Sequence, residues 1–365
     1  MTDTAMIDRP ETAAATMLGL AKLEPRQGLW MTRADIPQIA PDEVLIKVRR
    51  TAICGTDIHI YDWDEWAART VPVPMIVGHE FSGEIAEIGN AVSRPLKVGQ
   101  RVSAEGHIVD LNSAPARDGH FHLDPGTRGI GVHRQGAFAE YLAMPAFNVV
   151  SLPDTVSDEV GALLDPFGNA VHTAQQFDLL GQDVLVTGAG PIGIMAAAVA
   201  RRGGARTVVL TDVNDYRLEL AARFSDVRTV NVAREDLRDV MASERIDNGF
   251  AVALEMSGAE PAIRQAIDAL AMGGNLAMLG IPHGGMEVVW SDIILKALTI
   301  RGVYGREMFG TWRRMLGLLH GGLDLEPLIT HRLPAAEFQQ GIDAMRAGRS
   351  GKVVLDWTQA PTEPD

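Results

Sequence analysis

Val184-Leu185-Val186-Thr187-Gly188-Ala189-Gly190-Pro191-Ile192-Gly193 is the stretch on which the reading of the fold turns. A short apolar run ends in a glycine-rich turn, and an alanine-rich helical stretch, Ile192–Arg202, follows directly. The spacing is G-x-G-x-x-G. The first glycine permits a tight turn, the second lets backbone approach a pyrophosphate, and the third packs helix against strand. A helix N-terminus adds free N–H groups and the positive end of its dipole. Gly188, Gly190 and Gly193 therefore point to a dinucleotide. Asp212 closes the next apolar run, Thr207-Val208-Val209-Leu210, 24 residues beyond Gly188. A carboxylate there accepts hydrogen bonds from ribose hydroxyls and repels a 2′-phosphate, which favours NAD over NADP. Arg217 is the counterweight, because an arginine nearby attracts such a phosphate. The plainer alternatives are an ordinary strand–helix turn for the glycines and a strand-end turn residue for Asp212.

Outward from this stretch, Val252-Ala253-Leu254 and Leu276-Ala277-Met278-Leu279 are further apolar runs separated by helix-length segments. Strand–helix–strand repetition predicts a parallel sheet covered on both faces. The first half has a different grammar. Val44-Leu45-Ile46-Lys47-Val48 alternates in part, and Gly, Pro and Asn recur through Gly78–Gly99, which predicts a compact β-rich domain. Between Ala104 and Gly136 the pattern dissolves into Gly, Pro, Asp and His, the composition of a long surface loop or lobe. The final residues, around Thr330-His331-Arg332-Leu333 and Gly351-Lys352-Val353-Val354-Leu355, return to short strands and helices.

At 365 residues the chain is long enough for two domains. Its net charge of −14 argues against nucleic acid, whose phosphates need clustered Lys and Arg. A single cysteine, Cys54, cannot form an internal disulfide. Residues 1–17 lack the basic start and apolar run of a signal peptide, and Val184–Ala200 is too short and too broken to span a membrane. These features predict a soluble, cytoplasmic protein.

A second group of residues carries metal chemistry. Cys54, in Cys54-Gly55-Thr56-Asp57-Ile58-His59, and His79 and Glu80, in Gly78-His79-Glu80, offer sulfur, nitrogen and oxygen donors. Such a set suits zinc with one coordination position left open. Taken singly, a lone cysteine is more often a small buried hydrophobe. Asp165 is a fourth ligand, a partner of the ligands, or the cap of the turn after it. Thr56 and His59 are spaced to pass a proton outward, or else cap a turn and sit in an exposed loop.

Together these residues resemble the zinc-dependent medium-chain dehydrogenases, and above all the branch that oxidises L-threonine. The likeness runs from about Met17 to Trp357. It rests on T-A-I-C-G-T-D-I-H-I-Y-D-W-D-E-W from Thr51, V-P-M-I-V-G-H-E from Val73, D-P-F-G-N-A-V-H-T-A from Asp165 and G-V-Y-G-R-E-M-F from Gly302. The glycine turn, C-G-T-D and G-H-E belong to the whole superfamily, whereas Y-D-W-D-E-W and G-R-E-M-F are particular to the threonine branch.

The resemblance implies an α/β fold with two domains. A GroES-like β-rich catalytic domain occupies 17–168 and 307–365, and a Rossmann domain with a doubly wound parallel sheet occupies 169–306, after a flexible extension over 1–16. It implies one catalytic zinc per subunit on Cys54, His79 and Glu80, with Thr56 and His59 as proton relay. Asp165 would support catalysis beside the metal, and His107 would lie near the substrate. NAD contacts carry over to Ile192, Asp212, Arg217, Leu279, Gly280, Ile281, Val303 and Tyr304. The implied reaction is oxidation of the secondary alcohol of L-threonine to 2-amino-3-oxobutanoate, by a homo-oligomer, tetramer or dimer.

One departure from the family is large. Its second, structural zinc is held by C-x2-C-x2-C-x7-C, and the matching positions here are Asp110, Ser113, Ala116 and Asp124. With no thiolate left, no structural zinc is expected, and the family's tetramer is put in question. Two rival readings remain open: a related dehydrogenase acting on another amino alcohol, polyol or sugar alcohol, and a non-catalytic NAD-binding protein. Intact Cys54, Thr56, His59, His79 and Glu80 speak against the second.

Overall fold

The computed structural model describes residues 16–282 and 284–359. The extension expected over 1–16 lies outside the described residues except for Thr16, which opens the first strand, Thr16–Lys22. The chain divides into two compact units. Among the described residues, one comprises 16–165, Ile329–Arg346 and 352–359, and the other Pro166–Leu328 with Ala347–Gly351.

The first unit is β-rich. Its main sheet runs in the order Val149–Ser151, Arg101–Ala104, Glu80–Ile88, Glu43–Ala52, Lys352–Asp356 and Ile329–Pro334, and Tyr141–Pro145 also pairs with Glu43–Ala52. A second sheet of three strands orders Trp30–Asp35, Thr16–Lys22 and Met75–Ile76. Apolar residues of both sheets, among them Leu20, Ile46, Phe81 and Ile85, form one buried cluster with Phe138, which lies just before the strand Tyr141–Pro145. The stretch expected as a long loop or lobe from 104 to 136 carries a two-stranded ribbon, His107–Ile108 with Arg128–Gly129, and the short helix Ala114–Arg117. Such small elements sit below the length at which hydrophobic periodicity is readable.

The second unit holds six parallel strands in the order Arg228–Asn231, Thr207–Asp212, Asp183–Thr187, Phe250–Glu255, Leu270–Met278 and Thr299–Gly302. The chain winds outward from Asp183–Thr187 in one direction, then returns beside it as Phe250–Glu255 and winds outward in the other. Where that reversal occurs, the carboxyl ends of adjacent strands leave a crevice, and ligands bind there in open α/β sheets. Strand runs such as Val184-Leu185-Val186 are fully buried, as expected for strands covered on both faces.

Phe138 shows how the first unit is knit. Its ring is fully buried, its N–H donates to Val77 O at 2.9 Å, and its carbonyl accepts from Leu20 N at 2.7 Å. Phe138→Ala should cost about 3–5 kcal/mol in urea unfolding followed by tryptophan fluorescence. A loss under about 1 kcal/mol would mean that the ring is not part of the core.

Candidate metal centre and nucleotide turn

Register brings the metal donors together. Ala52 pairs with Glu80 across the strands Glu43–Ala52 and Glu80–Ile88. Cys54, two residues past Ala52 and at the N-cap of the helix Gly55–Asp62, therefore arrives beside His79 and Glu80. Their ligand atoms all lie within 4.8 Å of one another. Gly78 makes the approach feasible: its φ is +87°, and a Cβ there would stand 2.1 Å from the Phe138 ring.

The polar atoms around the three donors fit a cation. Glu80 is fully buried, its Oε2 accepts from Lys352 Nζ at 2.5 Å, and its Oε1 has no hydrogen-bond partner. His79 Nδ1 is likewise unpartnered and faces Asp57 Oδ1 at 3.9 Å. Asp57 is fully buried, and its Oδ2 accepts from Cys54 N at 2.8 Å. Burial pushes the Asp57 and Glu80 carboxyls upward, with Lys352 and His79 pulling the other way. Burial would depress the His79 pKa, but Cys54, Asp57 and Asp165 outweigh it and hold it well above the usual histidine range. Lys352 is raised in the same way: Glu80, Cys54 and Asp57 overcome its burial. Cys54, His79 and Glu80 offer sulfur, nitrogen and oxygen donors in one small cluster, and Glu80 Oε1 is the kind of orphaned atom a metal satisfies.

The remaining sequence-predicted residues of this unit take distinct places. Cys54 Sγ lies 3.8 Å from Thr56 Oγ1. Thr56 and His59 are three apart on the helix Gly55–Asp62, hence neighbours on its surface. Thr56 is half-buried, while His59 is exposed with Nδ1 2.6 Å from Asp64 Oδ2. Asp165 sits in the first turn of the helix Leu164–Ala174, outside the three-residue donor group but near enough to influence His79 and Glu80. His107 Nδ1 lies 2.8 Å from Glu105 Oε1. Gly106, just before it, would carry a Cβ 3.8 Å from His79 O and 3.9 Å from Asp165 Oδ2. Sequence reasoning missed Asp57, Asp64, Glu105 and Lys352, each a partner of a predicted residue.

In the second unit the glycine turn has the expected geometry. Gly188 has φ +92°, and a Cβ on Gly193 would stand 1.9 Å from Gly188 O. Gly190 is the N-cap of the helix Pro191–Arg202, carries no side-chain cap, and has open space where a Cβ would be. A phosphate group fits such an uncapped, unobstructed helix start. Asp212 ends its strand with both carboxylate oxygens in use: Oδ2 accepts from Ala189 N at 2.6 Å, and Oδ1 from Val213 N at 2.7 Å and Asn214 N at 2.9 Å. About four lone-pair sites serve a carboxylate, so room for a ribose hydroxyl remains. Arg217 lies in the helix Asp215–Phe224, with a buried Nε lacking a partner. Leu279, Gly280 and Ile281 follow the strand Leu270–Met278, and Val303 and Tyr304 follow Thr299–Gly302. Because the sheet is parallel, all of them fall at the same edge as Gly188.

At the four lobe positions, the structure shows hydrogen bonds. Asp124 is buried; its Oδ2 accepts from Asp110 N at 2.9 Å and its Oδ1 from Gly126 N at 3.2 Å. The Asp110 N–H above all, then that of Gly126 and the Ser113 hydroxyl, hold its carboxyl below the usual range against its burial.

Comparison with known proteins agrees with both halves of this geometry. The alcohol dehydrogenase GroES-like domain matches residues 40–154, and the zinc-binding dehydrogenase domain matches residues 191–321. The chain belongs to the zinc-dependent medium-chain dehydrogenase superfamily. Within it, the chain is 61% identical to the L-threonine 3-dehydrogenase of Ruegeria pomeroyi, over 94% of this chain and all of that protein. To the L-threonine 3-dehydrogenase of Escherichia coli K12 it is 56% identical, over 93% of this chain and all of that one. Among solved structures, an alcohol dehydrogenase from E. coli CFT073 complexed with NADH matches with TM-score 0.85 and 26% identity, covering 94% of this chain and 99% of that one. The 2R,3R-butanediol dehydrogenase of Bacillus subtilis matches with TM-score 0.84 and 26% identity, over 93% and 99% of the two chains.

Lys352 offers a test of Glu80. Lys352→Met leaves a buried carboxylate without its ion pair, so the melting temperature should fall by the equivalent of about 3–5 kcal/mol. If Glu80 ligates zinc, adding zinc should recover part of that loss and EDTA should abolish the recovery. Identical melting with zinc and with EDTA would remove Glu80 from the ligand set.

Proposed function

We propose that this chain oxidises the β-hydroxyl of L-threonine with NAD⁺, giving 2-amino-3-oxobutanoate, NADH and a proton. The observation that carries the reading is the convergence of the Cys54, His79 and Glu80 ligand atoms within 4.8 Å of one another, in a chain 61% identical to an enzyme of that name. Bound there, zinc supplies Lewis-acid polarisation of the alcohol oxygen, and NAD⁺ is the hydride acceptor.

Cys54, His79 and Glu80 hold the metal through sulfur, nitrogen and oxygen. Asp57 Oδ1 faces His79 Nδ1 at 3.9 Å and adds negative charge beside the metal ligands. Thr56 takes up the alcohol proton through its hydroxyl and passes it along the helix surface to His59. His59, exposed and bonded to Asp64, delivers it to water. Asp165 tunes the charge beside the ligands, and His107, oriented by Glu105, contacts the substrate. In the second unit, Gly188, Gly190, Ile192 and Gly193 receive the pyrophosphate at the start of the helix. Asp212 takes an adenosine ribose hydroxyl, with Arg217 beside it in the next helix, and Leu279, Gly280, Ile281, Val303 and Tyr304 line the nicotinamide half.

One zinc per chain completes this reading. The observation in its support is Asp124, whose carboxylate is already engaged by Asp110, Gly126 and Ser113 at the lobe positions. A cytoplasmic setting suits a thiolate ligand, and no helix among the described residues is long and apolar enough to cross a membrane. A homo-oligomer, tetramer or dimer, is supported by the edge strand Thr299–Gly302, exposed along its whole length, near the exposed Trp290, Ile294 and Leu295.

NADH formation by zinc-loaded protein should be rapid with L-threonine and at least about tenfold slower, as kcat/KM, with L-serine, D-threonine and simple polyols. Faster turnover of a polyol would overturn the substrate assignment. Cys54→Ser should abolish turnover and leave NADH binding within about twofold, since the two sites use different residues. Asp212→Asn should narrow the preference for NAD⁺ over NADP⁺ by about tenfold, from lost charge repulsion and a weakened ribose bond. An unchanged ratio would remove Asp212 from ribose recognition.

A further inference from the structure

A buried acid in the second unit has no part in the chemistry described above. Glu255 ends the strand Phe250–Glu255 with its side chain fully buried. Its Oε1 accepts from Ser257 N at 2.9 Å, Ser257 Oγ at 2.5 Å, Gly258 N at 3.0 Å and Thr187 Oγ1 at 3.3 Å. Its Oε2 accepts from Gly258 N at 3.2 Å. Every one of these donors is neutral. A carboxyl group buried among amides and hydroxyls costs desolvation, and a structural amide or apolar residue at that place would avoid the cost.

What it fastens is three turns at the edge of the sheet where the strand order reverses. Thr187 immediately precedes Gly188, the first glycine of the phosphate turn. Gly188 rests on Ser257: a Cβ on Gly188 would stand 2.8 Å from Ser257 Cβ and 3.0 Å from Ser257 N. Ser257 is thus the floor of the turn, and Glu255 grips that floor by both its N–H and its hydroxyl. The third turn follows Leu270–Met278. Leu279 N and Gly280 N donate to the main-chain carbonyl of Glu255 at 2.9 and 3.1 Å. A Cβ on Gly280 would stand 2.5 Å from Glu255 Oε2 and 2.1 Å from Gly258 N. Asp183–Thr187 and Phe250–Glu255 are the two strands that flank the crevice.

We propose that Glu255 is the positioning residue of the nucleotide site. By holding Ser257, Gly258 and Thr187 at one point, it fixes the Gly188 turn and the Leu279-Gly280-Ile281 turn in the arrangement that receives the dinucleotide. The proposal rests on the NAD reading above. It differs from a general packing role because the bonds converge on turns, with the strands already held by their own ladders.

The test uses the zinc-loaded full chain with Glu255→Gln, Glu255→Ala and Ser257→Ala. NADH dissociation constants come from nicotinamide fluorescence, alongside zinc content, melting temperature, and kcat and KM for both substrates. Glu255→Gln keeps one accepting oxygen but sets an NH₂ group against the Gly258 N–H, so NADH should bind about tenfold more weakly; Glu255→Ala should lose about a hundredfold and Ser257→Ala about threefold. KM for NAD⁺ should rise in that order, while kcat at saturating NAD⁺, KM for L-threonine and zinc content stay within about twofold. NADH affinity within about twofold of wild type in folded Glu255→Gln and Ser257→Ala proteins would overturn the proposal. So would kcat, zinc content and melting temperature falling together with affinity, the pattern of a fold-wide defect. If wild-type protein itself fails to bind NADH, the nucleotide reading falls, and this proposal with it.

Discussion

Lys352 holds the first unit together at the point where its candidate metal donors gather. From the strand Lys352–Asp356, its ammonium donates to Glu80 Oε2 and, at 2.9 Å, to Ile53 O, the residue before Cys54. One buried cation thus fastens both arms that carry the donor group, across a sequence separation of 272 residues from Glu80. The same strand pairs with Glu43–Ala52 in the main sheet. That explains why the chain, after building a separate unit, must return to the first: without the returning strand, Glu80 would lose its ion-pair partner. Breaking such a pair costs far more than the pair contributes over an apolar substitute, so the arrangement is retained for position more than for stability. Glu80 is left with one oxygen bonded to lysine and one without a hydrogen-bond partner.

The second unit meets a different constraint, close approach of backbone to backbone. Gly193 lies where any side chain would strike Gly188 O, and Gly280 where one would strike Gly258 N. These glycines let helix and turns draw together at the sheet edge, and the parallel ladder of Asp183–Thr187 with its two neighbours supplies the rigid base. Each unit therefore places a rigid sheet behind an irregular but tightly fastened edge. Binding groups carried this way keep their geometry with little ordering cost on ligand binding.

Much of this was legible in the sequence, and the reason differs by residue. Val184-Leu185-Val186 and the glycine turn read correctly because periodicity and turn chemistry are local properties. Cys54, His79 and Glu80 read as donors by type, but their convergence depends on the register of Ala52 with Glu80, which no short window contains. Asp57 was overlooked although it stands inside the C-G-T-D string; its place on the helix, three residues after Cys54, was the available signal. Lys352 and Glu255 were each visible as a charge adjoining an apolar run, Lys-Val-Val-Leu and Ala-Val-Ala-Leu-Glu. A charge so placed is either a strand-end residue facing water or a buried anchor. Only burial separates the two, and burial is set by the neighbouring strands.

The lobe around Asp124 is also organised by a buried acid. A metal closes a loop by drawing several side chains to one point, at the cost of desolvating each. Asp124 draws in the Asp110 and Gly126 N–H groups and the Ser113 hydroxyl, using groups that need partners in any case once the loop is folded. Ser113 also caps the short helix Ala114–Arg117 by accepting from Ala116 N. An anion hydrogen-bonded to backbone donors can therefore hold the segment from 110 to 126 in a defined path with no ion bound. The two acid-centred arrangements of the first unit differ in what they leave unsatisfied. Asp124 has each oxygen matched to a donor, whereas Glu80, grouped with a thiol and an imidazole, keeps one oxygen without a hydrogen-bond partner.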